Sequence, residues 1–589
     1  MNKPMDDLPG RLRAASCAFG TAAAVAALLL TASIPACTTT PANPGDAGAD
    51  AGPPLGLDEI PVTVNQRCPG DPSCLDQGDG KLYVGYGVRD ITPPFTDTNK
   101  NGTWDTGEPV VPFDGDGDPD RYWQFNTGSE LTSSHDPIWV RCYVVRQNQT
   151  TLAHCALDAG GYMYTEVKEI RAALDPALGI DYFFTSATHD HSAPDTVGIF
   201  GPDNGTSGYK PGWMKWVRGK VVEAVADAVH AQKPAKMAIA SLPVEMGANH
   251  DMTRLLDDTR DPVIIDNVMH VMQFDGADDA KPIVTVVNWS AHPDSNSHSN
   301  HAVSSEYPHY LRLAVEPHTG SPMIYISGSV GGQIGSGRVR PINDQGVQLP
   351  CGQRDYAFIQ AWAQEIAQFA NKAFDQRQPV ASPKLAFTSA KINLHVENAG
   401  YHTAFFSHLI PRKFFGYDSN RPLIRDQNGD NSPLVDSEIA YVRLGPAAIA
   451  TIPGELLPEL FIGGYDMSHK GTWEPFIHTG PIVDWCDPKR VSMPVTNYPA
   501  PADVTLAPKP PYLFDVMGGE PAHRMIFGLS LDMLGYIVPA YNFYLDPVAP
   551  YLVEPPGDSH YEETNSIGPR AAPEIVGSQR QLIQGFERK

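Results

Sequence analysis

Positive charge is scarce in this chain: 43 Lys and Arg face 68 Asp and Glu, a formal net charge of -25, and the basic residues form no run. Phosphates would be repelled over most of such a surface, so the sequence speaks against a nucleic-acid partner. Nor is there a Cys-x-x-Cys pair of the kind that holds structural zinc, or a Gly-x-Ser-x-Gly nucleophile elbow. Internal repeats are absent. So is any linker within residues 60–589, although 589 residues would fill roughly three or four average domains. One large catalytic body is expected, with long loops, since 52 glycines and 55 prolines accompany a 42% hydrophobic composition.

The one marked apolar run, FGTAAAVAALLLTA, follows Arg11 and Arg13 and is too short to span a membrane comfortably. Residues 1–37 read as a signal peptide whose end, SIPAC, resembles a bacterial lipobox. Cys37 then carries acyl chains and anchors the mature protein to a membrane. Residues 38–60 form a flexible tether, poor in apolar residues. The expected location is the cell envelope, as an exported lipoprotein.

Of eight cysteines, Cys17 leaves with the signal and Cys37 is the lipid candidate. Cys68 and Cys74 can close a small loop, and Cys142 and Cys155 can bridge a hairpin turning at RQNQT. Cys351 and Cys486 remain as a long-range pair. Such usage fits export.

Strand-like runs (KLYVGYGVRDI, IWVRCYVV, TLAHCALD, DYFFTSAT, PIVTVVNWSAH, PMIYISG, IAYVRLG, AAIATIPG) alternate with the helix-like GWMKWVRGKVVEAVADAVHAQ and YAFIQAWAQEIAQFANKAFDQ. This predicts an α/β body built on a central mixed sheet flanked by helices.

Residues 97–108, DTNKNGTWDTGE, carry the spacing of an EF-hand calcium loop, with oxygen ligands for a hard cation and glycine at the sixth position for the turn. The expected ligands are Asp97, Asn99, Asn101, Thr103 through its carbonyl, Asp105 and Glu108. Pro109 opposes an exiting helix, so a structural calcium loop is expected rather than a sensor. DGDGDPD (114–120) is a poorer second candidate, extending the insertion to about residue 120, and DQNGDN (426–431) is weaker still.

The chemistry gathers at strand ends, where sites of α/β sheets collect. In FTSATHDHSAP, His189 and His191 would point the same way if the strand persisted that far. His292 follows another apolar run in VTVVNWSAH. Glu455 follows a third in IATIPGEL, with Glu459 as a competitor one helical turn on that is expected at the surface. A catalytic zinc needs about three such ligands and an open position.

Taken together, YVGYGVRDITPP, THDHSAP, NWSAH, IPGEL, GYIVPAY and HYEETNSIGP, spread in this order over residues 82–570, resemble the catalytic domain of neutral ceramidases and their bacterial relatives. The resemblance implies a ceramidase-like catalytic domain over 61–589, without room for the immunoglobulin-like C-terminal domain of full ceramidases. It implies zinc ligands His189, His292, Glu455 and Tyr536, with His191, Arg254 and Tyr561 lining the reacting site, and a lipid or other acyl-amide substrate.

One departure matters. Where ceramidases have a Gly-Asp-Val-Ser-Pro type sequence with the serine assigned as nucleophile, this chain places Gly331, Gly332, Gln333, Ile334 and Gly335. Ser327 and Ser329 are near but outside the motif. Zinc-activated water needs no serine. His191 would then act as general acid/base, Arg254 or Tyr561 would stabilise the oxyanion, and the glycine-rich loop would offer N–H donors or clear space. Competing readings are a non-catalytic envelope lipoprotein of the same fold that binds a lipid or glycan, another metal-dependent esterase, and a phosphoesterase drawing on Asp294, His298 and His301.

Overall fold

Two glycines explain how one long helix meets the sheet. The strand Leu82–Asp90 carries Gly85 and Gly87 on the face covered by Pro211–His230, and a Cβ at either would collide with the carbonyls of Ala228 and Ala224. The YVGYGV pattern thus marks a backbone-to-backbone approach.

The computed structural model describes residues 60–588 apart from 116, 245–254, 257, 259, 261–263, 297–299, 334–338, 351–352, 466–475, 478–503, 520–522 and 556–559. The signal segment with Cys37, nearly all of the tether, Arg254, His298, Ile334, Gly335, Cys351 and Cys486 lie outside the described residues. The elements that build the body are strands β1 (Val64–Cys68), β2 (Leu82–Asp90), β3 (Trp139–Gln147), β4 (Thr150–Leu157), β5 (Tyr182–Ala187), β6 (Lys233–Pro243), β7 (Val268–Gly276), β8 (Pro282–Trp289), β9 (Met323–Ser327), β10 (Leu385–His395), β11 (Leu434–Leu444), β12 (Ala447–Thr451), β13 (Glu455–Leu456), β14 (His523–Phe527) and β15 (Tyr536–Ile537). The helices used below are α1 (Tyr164–Ala173), α2 (Pro211–His230), α3 (Glu306–Thr319), α4 (Tyr356–Gln376), α5 (Ala399–Phe406), α6 (Glu459–Ile462) and α7 (Ala571–Glu587).

The larger sheet runs β9-β8-β7-β6-β2-β3-β4-β5, with Gln378–Val380 beside β6; the smaller runs β1-β10-β11-β12-β14. Both are mixed, with parallel pairs β8/β9, β4/β5 and β12/β14 and antiparallel pairs elsewhere. The α/β architecture expected from the alternating runs is therefore present, and every strand-like run singled out in the sequence is a strand. Helix α2 buries Trp213, Val217 and Val221 on the large sheet. Helices α3 and α4 pack Tyr307, Leu311, Phe358 and Trp362 against β7 and β8, while α7 seals the small sheet with Ile575 and Leu582.

What positions the site is the way the large sheet closes. Its two edge strands, β5 and β9, come together at their C-terminal ends, where the Ser327 hydroxyl donates to the Thr188 carbonyl at 2.7 Å. Residues 528–531, leaving β14, fill the seam. The Gly528 N–H bonds the Ser327 carbonyl, the Ala187 N–H bonds the Leu529 carbonyl, and the Leu531 N–H bonds the Thr185 carbonyl. Strand edges that would stand open are thereby paired. The Asn288 amide ties the sheets further by donating to the carbonyls of Ile326 and Ile526.

Two disulfides join Cys68 to Cys74 and Cys142 to Cys155, the latter pair directly opposite across the β3/β4 hairpin.

Candidate metal centre

The strand ends at the seam deliver the site. Strand β5 stops at Ala187, and His189 adopts a left-handed backbone, φ 68°, which a side chain-bearing residue seldom takes. The expected strand alternation is thus not what brings the two histidines together. A turn does so, with the Nε2 atoms of His189 and His191 3.2 Å apart.

His292 follows β8, and Glu455 opens β13. The Glu455 Oε2 lies 3.1 Å from the His189 Nε2 and 3.0 Å from the His292 Nε2. Strand β13 pairs in parallel with β15, and the pair in register is Glu455 with Tyr536. That register sets the Tyr536 hydroxyl 3.4 Å from the His292 Nε2 and 3.3 Å from the Tyr561 hydroxyl. Six of the seven residues expected at the reacting site are therefore together; the seventh, Arg254, is outside the described residues.

Backbone carbonyls fix the outer nitrogens. The His189 Nδ1 faces the Gly160 carbonyl at 2.6 Å and the His292 Nδ1 faces the Gln333 carbonyl at 3.2 Å, which leaves both Nε2 atoms for the centre. Burial opposes charge on Glu455, but the adjoining imidazoles of His189 and His292 outweigh it and hold the carboxyl well below its usual range. Burial likewise works against the His292 imidazolium, and Glu455 outweighs it, raising that pKa. For His191, burial and its two histidine neighbours act together and push it far down, so it is neutral. The Tyr536 and Tyr561 hydroxyls are pushed well up, chiefly by burial, and stay protonated donors.

The donors fit a metal. Tetrahedral zinc with ligands near 2.1 Å sets donor atoms about 3.4 Å apart, close to the separations of the Glu455 Oε2 from the His189 and His292 Nε2 atoms. The potential ligand atoms of His189, His191 and His292 all lie within 4.8 Å of one another. His191, expected as an acid/base, therefore also stands within ligand reach.

The centre opens into a cleft enclosing about 690 Å³, its mouth included, lined mostly by apolar side chains such as Met163, Ile199, Phe200, Phe405 and Leu534. His191 lines it, and its Nδ1 is buried with no hydrogen-bond partner among the described residues.

The described part of the altered loop, residues 331–333, packs behind the centre. The Gly331 N–H donates to the Leu456 carbonyl at 2.9 Å, and a Cβ there would lie 2.7 Å from the Glu455 carbonyl oxygen. The glycine thus lets the loop back the Glu455 strand. Gln333, fully buried, accepts the Asp266 N–H and donates to the carbonyls of Ser290 and Ser329, so it braces the His292 segment. No motif announced it. Ser329 and Ser290 both donate to Asp266, and Ser327 to Thr188, so neither candidate serine has a histidine base among its partners.

Two further corrections concern charge. Glu459, expected at the surface, is 5% exposed on α6, and burial pushes its carboxyl up to about 7. Arg260, unremarked in the sequence, is buried and bonds Glu562 and Glu563, clamping the segment that presents Tyr561.

The loop 97–108 closes as its spacing requires. Gly102 turns at φ 80°, its N–H reaches Asp97, and the Asn99 and Asn101 amides both reach the Asp105 Oδ2, at 2.6 and 2.7 Å. Thr103 donates its N–H to Asn101. Glu108, however, is turned onto the N–H groups of Thr98, Asn99 and Asp105. No helix follows, as Pro109 indicated. At 114–120, Asp120 accepts the Phe113 N–H, and at 426–431 Asp430 is committed to Arg570.

No family model matches the chain, and no curated protein matches it. Among solved structures, it is similar to neutral ceramidase from Pseudomonas aeruginosa, with TM-score 0.55 and 12% identity over 87% of this chain and 75% of that one. A ceramidase complexed with C2 is also similar, with TM-score 0.51 and 12% identity over 86% and 74% of the two chains. At that identity the likeness is one of fold.

Proposed function

We propose that this chain is a zinc-dependent hydrolase that cleaves an N-acyl amide, with a ceramide-like lipid as the first substrate class. The observation that carries the reading is the convergence of the His189 and His292 Nε2 atoms on the Glu455 carboxylate, at 3.1 and 3.0 Å, beside an apolar cleft that His189 and Glu455 line. His189, His292, Glu455 and Tyr536 would hold zinc, which when bound polarises an acyl carbonyl and lowers the pKa of water.

The remaining steps belong to the chain's own groups. His191, kept neutral, takes a proton from the attacking water at its Nε2, the ring nitrogen that faces the centre, and returns it to the departing amine. The Tyr561 hydroxyl, held beside Tyr536, donates to the carbonyl oxygen as charge develops, with Arg254 in the same role. The apolar walls take the acyl chain and exclude water. Ser327 and Ser329 are committed elsewhere, which favours water as nucleophile.

Calcium at Asp97, Asn99, Asn101, Thr103 and Asp105 would stiffen the insertion, with Glu108 exchanging its N–H partners for the ion. Acylated Cys37 would keep the enzyme at the envelope membrane, where lipid substrates lie.

The test is metal content by mass spectrometry on a chain beginning near residue 60, wild type and His292→Ala, with fluorescent ceramide turnover in the same samples. About one zinc per chain, lost together with turnover in the variant, is the expected result. Zinc without turnover would redirect the substrate to other acyl amides or esters, and absence of zinc would overturn the reading.

A further inference from the structure

Helix α3 starts with an anomaly. Glu306, its first residue, has φ 57°, a left-handed conformation that a glutamate adopts only when its surroundings impose it. Its side chain is fully buried, and among the described residues none of its hydrogen bonds comes from Lys or Arg. Burial pushes its carboxyl up to about 8, and a polar group so deeply buried persists where its hydrogen bonds do something specific.

Those bonds reach two segments that never pair as strands. Oε1 accepts the Ser192 hydroxyl at 2.6 Å and the Asn296 N–H at 3.3 Å, while Oε2 accepts the Ser295 N–H at 3.0 Å. The Asn296 amide closes the ring by donating to the Ser192 oxygen at 2.9 Å. Ser192 ends the turn that carries His189 and His191, and Ser295 and Asn296 continue the segment that carries His292. The His191 N–H to the Pro293 carbonyl, 3.0 Å, is the backbone bond beside this bolt.

We propose that Glu306 is a positioning residue that fixes the spacing of the two histidine-bearing segments, and through it the affinity of the centre for zinc. It touches no reacting atom. It holds the imidazoles at ligand distance so that the metal does not have to gather them, and outer groups of this kind set metal affinity. The inference rests on the zinc reading above.

The test compares zinc affinity, by competition with a chromophoric chelator, and the melting temperature of the metal-free chain for wild type, Glu306→Gln, Ser192→Ala and the double variant. Glutamine keeps the size but must set an NH2 against a hydroxyl or an N–H donor. Each single variant is expected to weaken zinc binding about 10–100-fold, with the double variant little worse than the worse single one and with metal-free melting largely retained. Wild-type zinc affinity in the folded variants, even with lowered melting, would overturn the assignment and leave Glu306 a structural residue only. Should Glu306→Gln not fold, Ser192→Ala decides by the same criterion. A wild-type chain that takes up no zinc would overturn the metal reading and this inference with it, an outcome distinct from equal uptake by wild type and variants.

Discussion

The histidine centre and the loop 97–108 are built over opposite distances. The loop draws its oxygens from twelve consecutive residues by local N–H contacts, largely in solvent. The centre draws His292 and Glu455 from positions 163 residues apart, buries them, and needs both sheets to be docked. A local site can be written in spacing alone. A distributed one depends on the fold that delivers it, so damage to that fold should reach it from afar.

The sharpest way to break this contrast is His292→Ala, expected to lower turnover at least about a thousandfold by removing a ligand, against little change for Asp97→Asn in the same assay. Comparable losses would make the loop part of the reacting site. Next, Gly331→Ala tests delivery from behind. Its methyl would meet the Glu455 carbonyl oxygen and the Leu456 backbone as well as the Leu457 side chain, so we expect about 1–3 kcal/mol of destabilisation in denaturant melts together with weakened zinc binding.

A third measurement separates buried from solvated acids. Glu459 has a folded pKa of about 7, above the ordinary unfolded value, so the protonated form is favoured in the fold. Stability is intact below about pH 4.3 and is lost as pH rises through about 7. Glu459→Gln should therefore melt higher than wild type at pH 8, by about 1–3 kcal/mol, and equally at pH 4. A variant less stable at pH 8 would mean that the charge is needed there. The smallest effect is expected from calcium, which should raise the melting temperature by only a few degrees through mass action and not at all in Asp105→Asn. A large shift would give the loop a wider reach than its local bonds suggest.

Much of the centre was legible because its residues follow apolar runs, and runs of β-branched and aromatic residues make strands whichever sheet they join. His189, His292 and Glu455 were found in this way, and Tyr536 and Tyr561 through the family resemblance. What spacing cannot encode is the closure of the large sheet by residues 528–531, or packing between segments remote in sequence. Glu459 reads as exposed because one helical turn past Glu455 is normally outside; here both sides of α6 are covered, by residues that include Phe514 and Tyr541. Gln333 and Glu306 carry no pattern at all, since each acts through carbonyls and N–H groups of segments remote in sequence. His189 reaches the cluster through a turn and not through strand alternation, because the strand ends before it.

The seam has a consequence for the order of events in the chain's life. Its filling segment lies past residue 527, so a nascent or truncated chain ending earlier possesses all three histidines and Glu455 yet has no edge to hold them together. A metal captured by the finished protein ties a loop of more than 160 residues, a closure whose entropic cost the fold has already met. Metal uptake would then act as a completion signal, reporting that the chain past residue 527, about its last tenth, has docked.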